Sequence, residues 1–136
     1  MAGYSPTPLV GKLGLKPGAS AGVMNPPGSY DDLLGVSNAA TVLSAALPVP
    51  KGLTYLHLFT RARTELEAVL AAARHRIAPH AMIWVSWPKK ASRQPTDVTE
   101  DVIRAVALPM GYVDIKVCAV DEIWSGLKLV VRKDLR

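Results

Sequence analysis

Residues 53–59 read LTYLHLF, a run in which apolar and aromatic side chains follow one another almost without relief. Successive side chains of a strand point to opposite faces, so a run this continuous is apolar on both sides and needs cover on both. From Thr60 the pattern changes. Ala62, Leu66, Val69, Leu70, Ala73 and Ile77 recur at steps of three and four, with Arg61, Arg63, Glu65, Glu67, Arg74 and Arg76 between them. That period of 3.6 predicts an amphipathic helix. Pro79 and His80 then turn the chain into another apolar strand at 82–86.

The same punctuation organises the rest of the chain. Thr7 offers a capping hydroxyl and Pro8 a first helical position, which predicts a short helix ending near Gly14. A turn at 16–18 leads to a small-residue strand at 19–24, stopped by Asn25, Pro26, Pro27 and Gly28, because proline lacks the amide a ladder needs. Ser29 caps a brief helix at 30–34 with Asp31 and Asp32 in its first turn. A second strand at 41–47 is cut off by Pro48 and Pro50. Asp97 with Glu100 three residues on forms a capping-box pattern for a helix that buries Val98, Val102, Ile103 and Val106 and ends at Pro109 and Gly111. Two strands, 112–120 and 127–132, are separated by 121–126, a spacing that suits a hairpin.

Composition narrows the function classes. The 136 residues fit one domain, 1–136, long enough for a core without staples. No apolar run approaches the ~20 residues needed to span a bilayer, and the start lacks a basic, apolar leader, so no membrane and a cytoplasmic location are expected. Cys118 is the single cysteine, which rules out an internal disulfide and a cysteine-based metal cage; in its apolar run it reads as an inert core thiol. No two histidines have metal-ligand spacing, and no nucleophile elbow is present. His57 reads as a core histidine bonded to backbone, and Asp121–Glu122 as a structural ion-pair partner of Lys89, with an acid/base couple as the alternative. The net charge of +5 comes from 16 basic against 11 acidic residues and permits an anionic ligand or nucleic acid without requiring either.

Strands alternating with helices and closed by a hairpin predict an α/β, Rossmann-like, mainly parallel sheet with helices on both faces. The pattern resembles a shortened class I methyltransferase. By that resemblance the last strand inserts antiparallel between the fourth and fifth, giving strand order 2-1-3-4-6-5. Longer strings are similar to a bacterial family of small proteins known as a domain of unknown function, DUF3052: Tyr4-Ser5 with Thr7-Pro8-Leu9, Leu15-Lys16-Pro17-Gly18, Trp84-Val85-Ser86-Trp87-Pro88-Lys89-Lys90, Thr99-Glu100-Asp101-Val102, and Trp124-Ser125-Gly126-Leu127-Lys128. The resemblance supports the fold and implies no chemistry.

Ligands of such sheets bind outside the carboxyl ends of the strands, where strand order reverses. The groups delivered there are residues 25–30 from the first strand, Thr60 and Arg61 from the third, 87–90 from the fourth and 121–125 from the hairpin; Asn25, Gly28, Tyr30, Trp87, Lys89, Lys90 and Trp124 among them form the candidate ligand or partner edge. Trp87 with the two lysines reads mainly as a core lid beside a solvated loop; the alternative is that they clamp an anion or stack on a base. A dinucleotide or adenosyl site wants glycines after the first strand and a carboxylate after the second. Here stand Pro26-Pro27 and Ala46-Leu47-Pro48 instead. The sequence therefore leads to the expectation of a non-catalytic binding or regulatory module on a degenerate methyltransferase-like scaffold, with no cofactor, no metal and no catalytic residue, and with a protein or anionic ligand as partner. The alternatives are an S-adenosylmethionine (SAM)-dependent methyltransferase or other nucleotide-binding enzyme, and a weak nucleic-acid binder. A homodimer through the second strand, at a sheet edge, is also open.

Overall fold

The computed structural model describes residues 8–44 and 48–136. Tyr4, Ser5, Thr7 and the end of the expected second strand, 45–47, lie outside the described residues. In chain order the elements are α1 (Leu9–Leu13), β1 (Ala21–Met24), α2 (Tyr30–Leu34), β2 (Thr41–Leu43), β3 (Tyr55–Phe59), α3 (Arg63–Ala73), β4 (Met82–Pro88), α4 (Glu100–Ala107), β5 (Tyr112–Ala119) and β6 (Trp124–Val131), with single 3₁₀ turns at Lys90–Ser92, Leu108–Met110 and Lys133–Leu135.

The six strands join one sheet in the order β2-β1-β3-β4-β6-β5, the order that the resemblance to class I methyltransferases implied. β1 pairs parallel with β2 and β3, and β3 pairs parallel with β4. β6 inserts antiparallel between β4 and β5. Every residue of β3 is buried, which is what its unbroken apolarity demanded.

The sheet separates two cores. On one face α3 and α4 lay Leu66, Leu70, Ile103 and Val106 over Leu56, Leu58, Ile83, Val85, Leu127 and Leu129. On the other, α1 and α2 bring Leu13, Tyr30 and Leu34 against Val23, Tyr55, Phe59, Trp84 and Trp124. Each fully buried aliphatic or aromatic side chain contributes roughly 1.5–3 kcal/mol, so both layers are needed to hold the middle strands. α1 is tied to the sheet by a long-range bond: the buried Trp84 indole Nε1–H donates to the Leu13 carbonyl at 2.8 Å.

Several boundaries differ from expectation for local reasons. α3 begins at Arg63 without a capping side chain of its own. Its first amide, Arg63 N, is met instead by the Asp97 carboxylate at 2.7 Å. Asp97 is therefore not the cap of α4; that role falls to Thr99, whose Oγ1 accepts from Val102 N at 3.2 Å. β6 starts three residues earlier than the apolar pattern suggested, which moves Trp124 out of the hairpin loop and into the strand. Cys118 lies on the half-buried edge strand β5, not in a sealed core.

Candidate functional site

The carboxyl ends of β1, β3 and β4 and the start of β6 meet at one edge. β1 leaves the sheet at Asn25, whose φ of 55° is left-handed and swings the chain away from the strand axis. Asparagine tolerates that region because its short polar side chain can bond locally. The Asn25 Nδ2 donates to the Phe59 carbonyl and to Glu65 Oε1, both at 3.1 Å, tying the β1 exit to the end of β3 and the first turn of α3. Asn25, Pro27, Gly28 and Ser29 are exposed. A Cβ placed on Gly28 would meet nothing within 4 Å, so the space above this loop is open.

β3 ends in Thr60 and Arg61. Thr60 N donates to the Ser86 carbonyl at 2.9 Å, which continues the ladder past the strand. The Arg61 guanidinium lies 4.8 Å above the Trp124 ring and donates to Gln94 Oε1 at 2.6 Å. A cation over an indole face is attracted by the ring quadrupole. Behind Trp124, Phe59 meets it edge-on at 5.2 Å.

Beneath the edge lies a buried polar chain. The Tyr30 hydroxyl is 2.6 Å from the Tyr55 hydroxyl and 2.7 Å from His57 Nδ1, and His57 Nε2 is 2.7 Å from Ser86 Oγ. Burial lowers the His57 pKa to about 3, so the ring is neutral near pH 7, with one nitrogen donating and the other accepting. Burial also raises the Tyr30 and Tyr55 pKa values well above the ordinary tyrosine range. His57 stacks on Phe59 at 4.2 Å between ring centroids. Its hydrogen-bond partners are side chains, not the backbone expected from sequence. With every member paired, these four groups are an internal fixture and have no opening to a substrate.

The seven residues singled out from the sequence divide. Asn25 and Gly28 lie together at the open β1 exit. Tyr30 is 4% exposed and belongs to the internal chain. Trp87 and Trp124 are both buried and lie on opposite faces of the sheet, Trp87 in the α3–α4 core and Trp124 in the α1–α2 core. Lys89 does not pair with a carboxylate: its Nζ donates to the Asp121 carbonyl at 2.8 Å, while the Asp121 carboxylate accepts from the amides of Ile123 and Trp124. Lys90 is exposed at the start of the 3₁₀ turn. Arg61, expected at this edge from the end of β3, lies there against Trp124, and Glu65, which the sequence pattern placed simply on a polar helix face, is added to the edge by its Asn25 contact.

No family model matches the chain, and no curated protein matches it. Solved structures do. A TehB-like SAM-dependent methyltransferase from Corynebacterium glutamicum superposes with a TM-score of 0.59 over 96% of this chain and 91% of its own, at 12% identity. The glycopeptide N-methyltransferase MtfA superposes with a TM-score of 0.64 over 90% of this chain and 87% of its own, at 9% identity. The chain has the fold of the class I methyltransferases. LepI, solved in complex with SAM, matches 93% of this chain and 47% of its own length with a TM-score of 0.58 and 11% identity. These neighbours correct the expectation of a non-catalytic module on a degenerate methyltransferase-like scaffold. The architecture is that of methyltransferases, some solved with SAM bound.

Proposed function

We propose that this chain is a SAM-dependent methyltransferase that holds its donor at the carboxyl edge of β1 and β3. The observation that carries the reading is the strand order, with β6 antiparallel inside an otherwise parallel run, matched along 90% or more of the chain by the methyltransferases named above. The exposed residues at the β1 exit suit such a group. Pro26 and Pro27 remove two amide donors, but the amides of Gly28 and Ser29 stand in the open part of the loop, where a carboxylate could approach the backbone. The acid that the β2 exit lacks has a substitute in Glu65, oriented by the Asn25 amide. Gly28 and Ser29 would bind the carboxylate of the donor's methionine part, and Glu65 its hydroxyl or ammonium groups. SAM, when bound, supplies a methyl group activated by the sulfonium. Asn25 fixes the Glu65 carboxylate, and the stacked Arg61–Trp124 pair walls the edge on its β6 side.

A thermal-shift titration with SAM and S-adenosylhomocysteine tests this. A ligand at one hundred times its dissociation constant stabilises the fold by about 2.7 kcal/mol. The wild type should shift with both compounds, and Glu65→Ala should lose most of the shift while keeping its unliganded melting temperature. No shift with either compound overturns the reading.

The kinship with the bacterial DUF3052 family rests on the WVSWPKK and WSGLK strings and is proposed on those alone. A cytoplasmic site of action agrees with such chemistry; among the described residues no helix is long and apolar enough to cross a membrane.

A further inference from the structure

A recess of about 420 Å³ opens beside the end of β4, on the α3–α4 face of the sheet. Trp87, Pro88 and Val98 form its apolar wall, and Lys90, Arg93 and Thr99 stand among its polar lining. Its volume lies within the range of small-molecule sites, about 300–1,000 Å³. None of the donor-edge residues Asn25, Gly28, Ser29 and Glu65 lines it.

The loop over the recess is built, not loose. Ser92 Oγ donates to the Lys89 carbonyl at 2.7 Å and Gln94 N donates to Ser92 Oγ at 3.3 Å. Thr96 Oγ1 donates to the Arg61 carbonyl at 2.9 Å, and Asp97 N donates to the same oxygen at 3.1 Å. Arg93 is held at a φ of 58°, a left-handed conformation that arginine seldom adopts.

Charge around the recess is unbalanced. Glu100, the one carboxylate in the lining, pairs along α4 with Arg104, which it shares with Asp101 and Asp114, and the Asp97 carboxylate accepts from the first amide of α3. Lys90 and Arg93 take part in none of the ion pairs among the described residues. Two unneutralised cations beside an indole, a proline ring and a valine select a ligand that is flat and apolar on one side and anionic at one end.

We propose that this recess binds a small planar aromatic carboxylate, its ring against Trp87 and Pro88 and its carboxylate toward Lys90 and Arg93. The site does not depend on the methyltransferase reading, because no residue of the donor edge enters it and its test is made without SAM. Cinnamate and its neutral isostere cinnamamide are titrated into ¹⁵N-labelled protein while the three indole resonances are followed, that of Trp87 being assigned from Trp87→Phe. Cinnamate should move the Trp87 resonance along a saturating curve and leave those of Trp84 and Trp124 in place. Cinnamamide should bind roughly tenfold more weakly, a difference of about 1.4 kcal/mol. The double variant Lys90→Gln, Arg93→Asn keeps a side chain that tolerates the left-handed backbone and should bind both compounds equally weakly, with an otherwise unchanged spectrum. Equal affinity for the two compounds in the wild type, a Trp87 resonance that stays still, or undiminished cinnamate binding by the double variant overturns the proposal.

Discussion

His57 shows how one residue can make the stability of the molecule depend on pH. Its ring is fully buried and neutral, with a pKa of about 3, whereas an unfolded histidine titrates near 6.5. Between those values the unfolded chain binds a proton that the folded chain refuses, so stability is complete above pH 6.5 and falls as the pH drops toward 3. The slope reaches at most about 1.4 kcal/mol per pH unit for this one proton. Urea unfolding midpoints measured from pH 7.5 to 4 should show that decline, and His57→Gln should be less stable at neutral pH with a flatter profile. Tyr30→Phe tests the same chain of bonds by another route. It leaves His57 Nδ1 and the Tyr55 hydroxyl without their partner and should cost about 1–3 kcal/mol. The sequence placed His57 inside a strand correctly. Its partners lie 27 and 29 residues away and belong to α2 and β4, so their convergence depends on the sheet and not on any local pattern.

At the scale of elements, the β4–β6 pair decides what the edge presents. Gly126 sits opposite Ser86, and a Cβ there would stand 3.2 Å from the Trp84 ring and 3.3 Å from Ser86 Oγ and Val120. The glycine in the WSGLK string is thus a gap that admits the Trp84 indole. Gly126→Val should force the indole or the strand to shift and destabilise the fold by about 1–3 kcal/mol, with Gly126→Ala milder, read as a lower urea midpoint. The alternation of Trp84 and Ser86 against Val85 and Trp87 was legible from the strand period alone. Which face Trp124 would join was not, because that follows from its register opposite Pro88, set by residues some forty positions earlier. Asp97 teaches the same lesson: its spacing to Glu100 imitates a capping box, but a tertiary contact takes its carboxylate to a different helix.

For the whole molecule, proline stops, one strongly periodic helix and a final hairpin made the succession of strands and helices legible, whereas the order of strands in the sheet came from the resemblance to class I methyltransferases. The proposed donor edge was less legible. Glu65 gains its place from an Asn25 side chain on another element, and the recess beside Trp87 gains its basic character from Lys90 and Arg93 on a loop whose course is set by tertiary bonds to Arg61. The hairpin is also structurally indispensable. β6 supplies Leu127, Leu129 and Val131 to the larger core and covers the flank of β4. A chain ending at Met110 should therefore lose its sharp unfolding transition, with a much reduced urea m-value by circular dichroism. At the opposite end of the fold, the bond from Trp84 to Leu13 spans 71 positions and joins the first helix to the central strand. Lifting that helix away would strand a proton and a carbonyl together, so deuterium uptake at this one indole nitrogen is a clock for how often the amino-terminal helix comes undone.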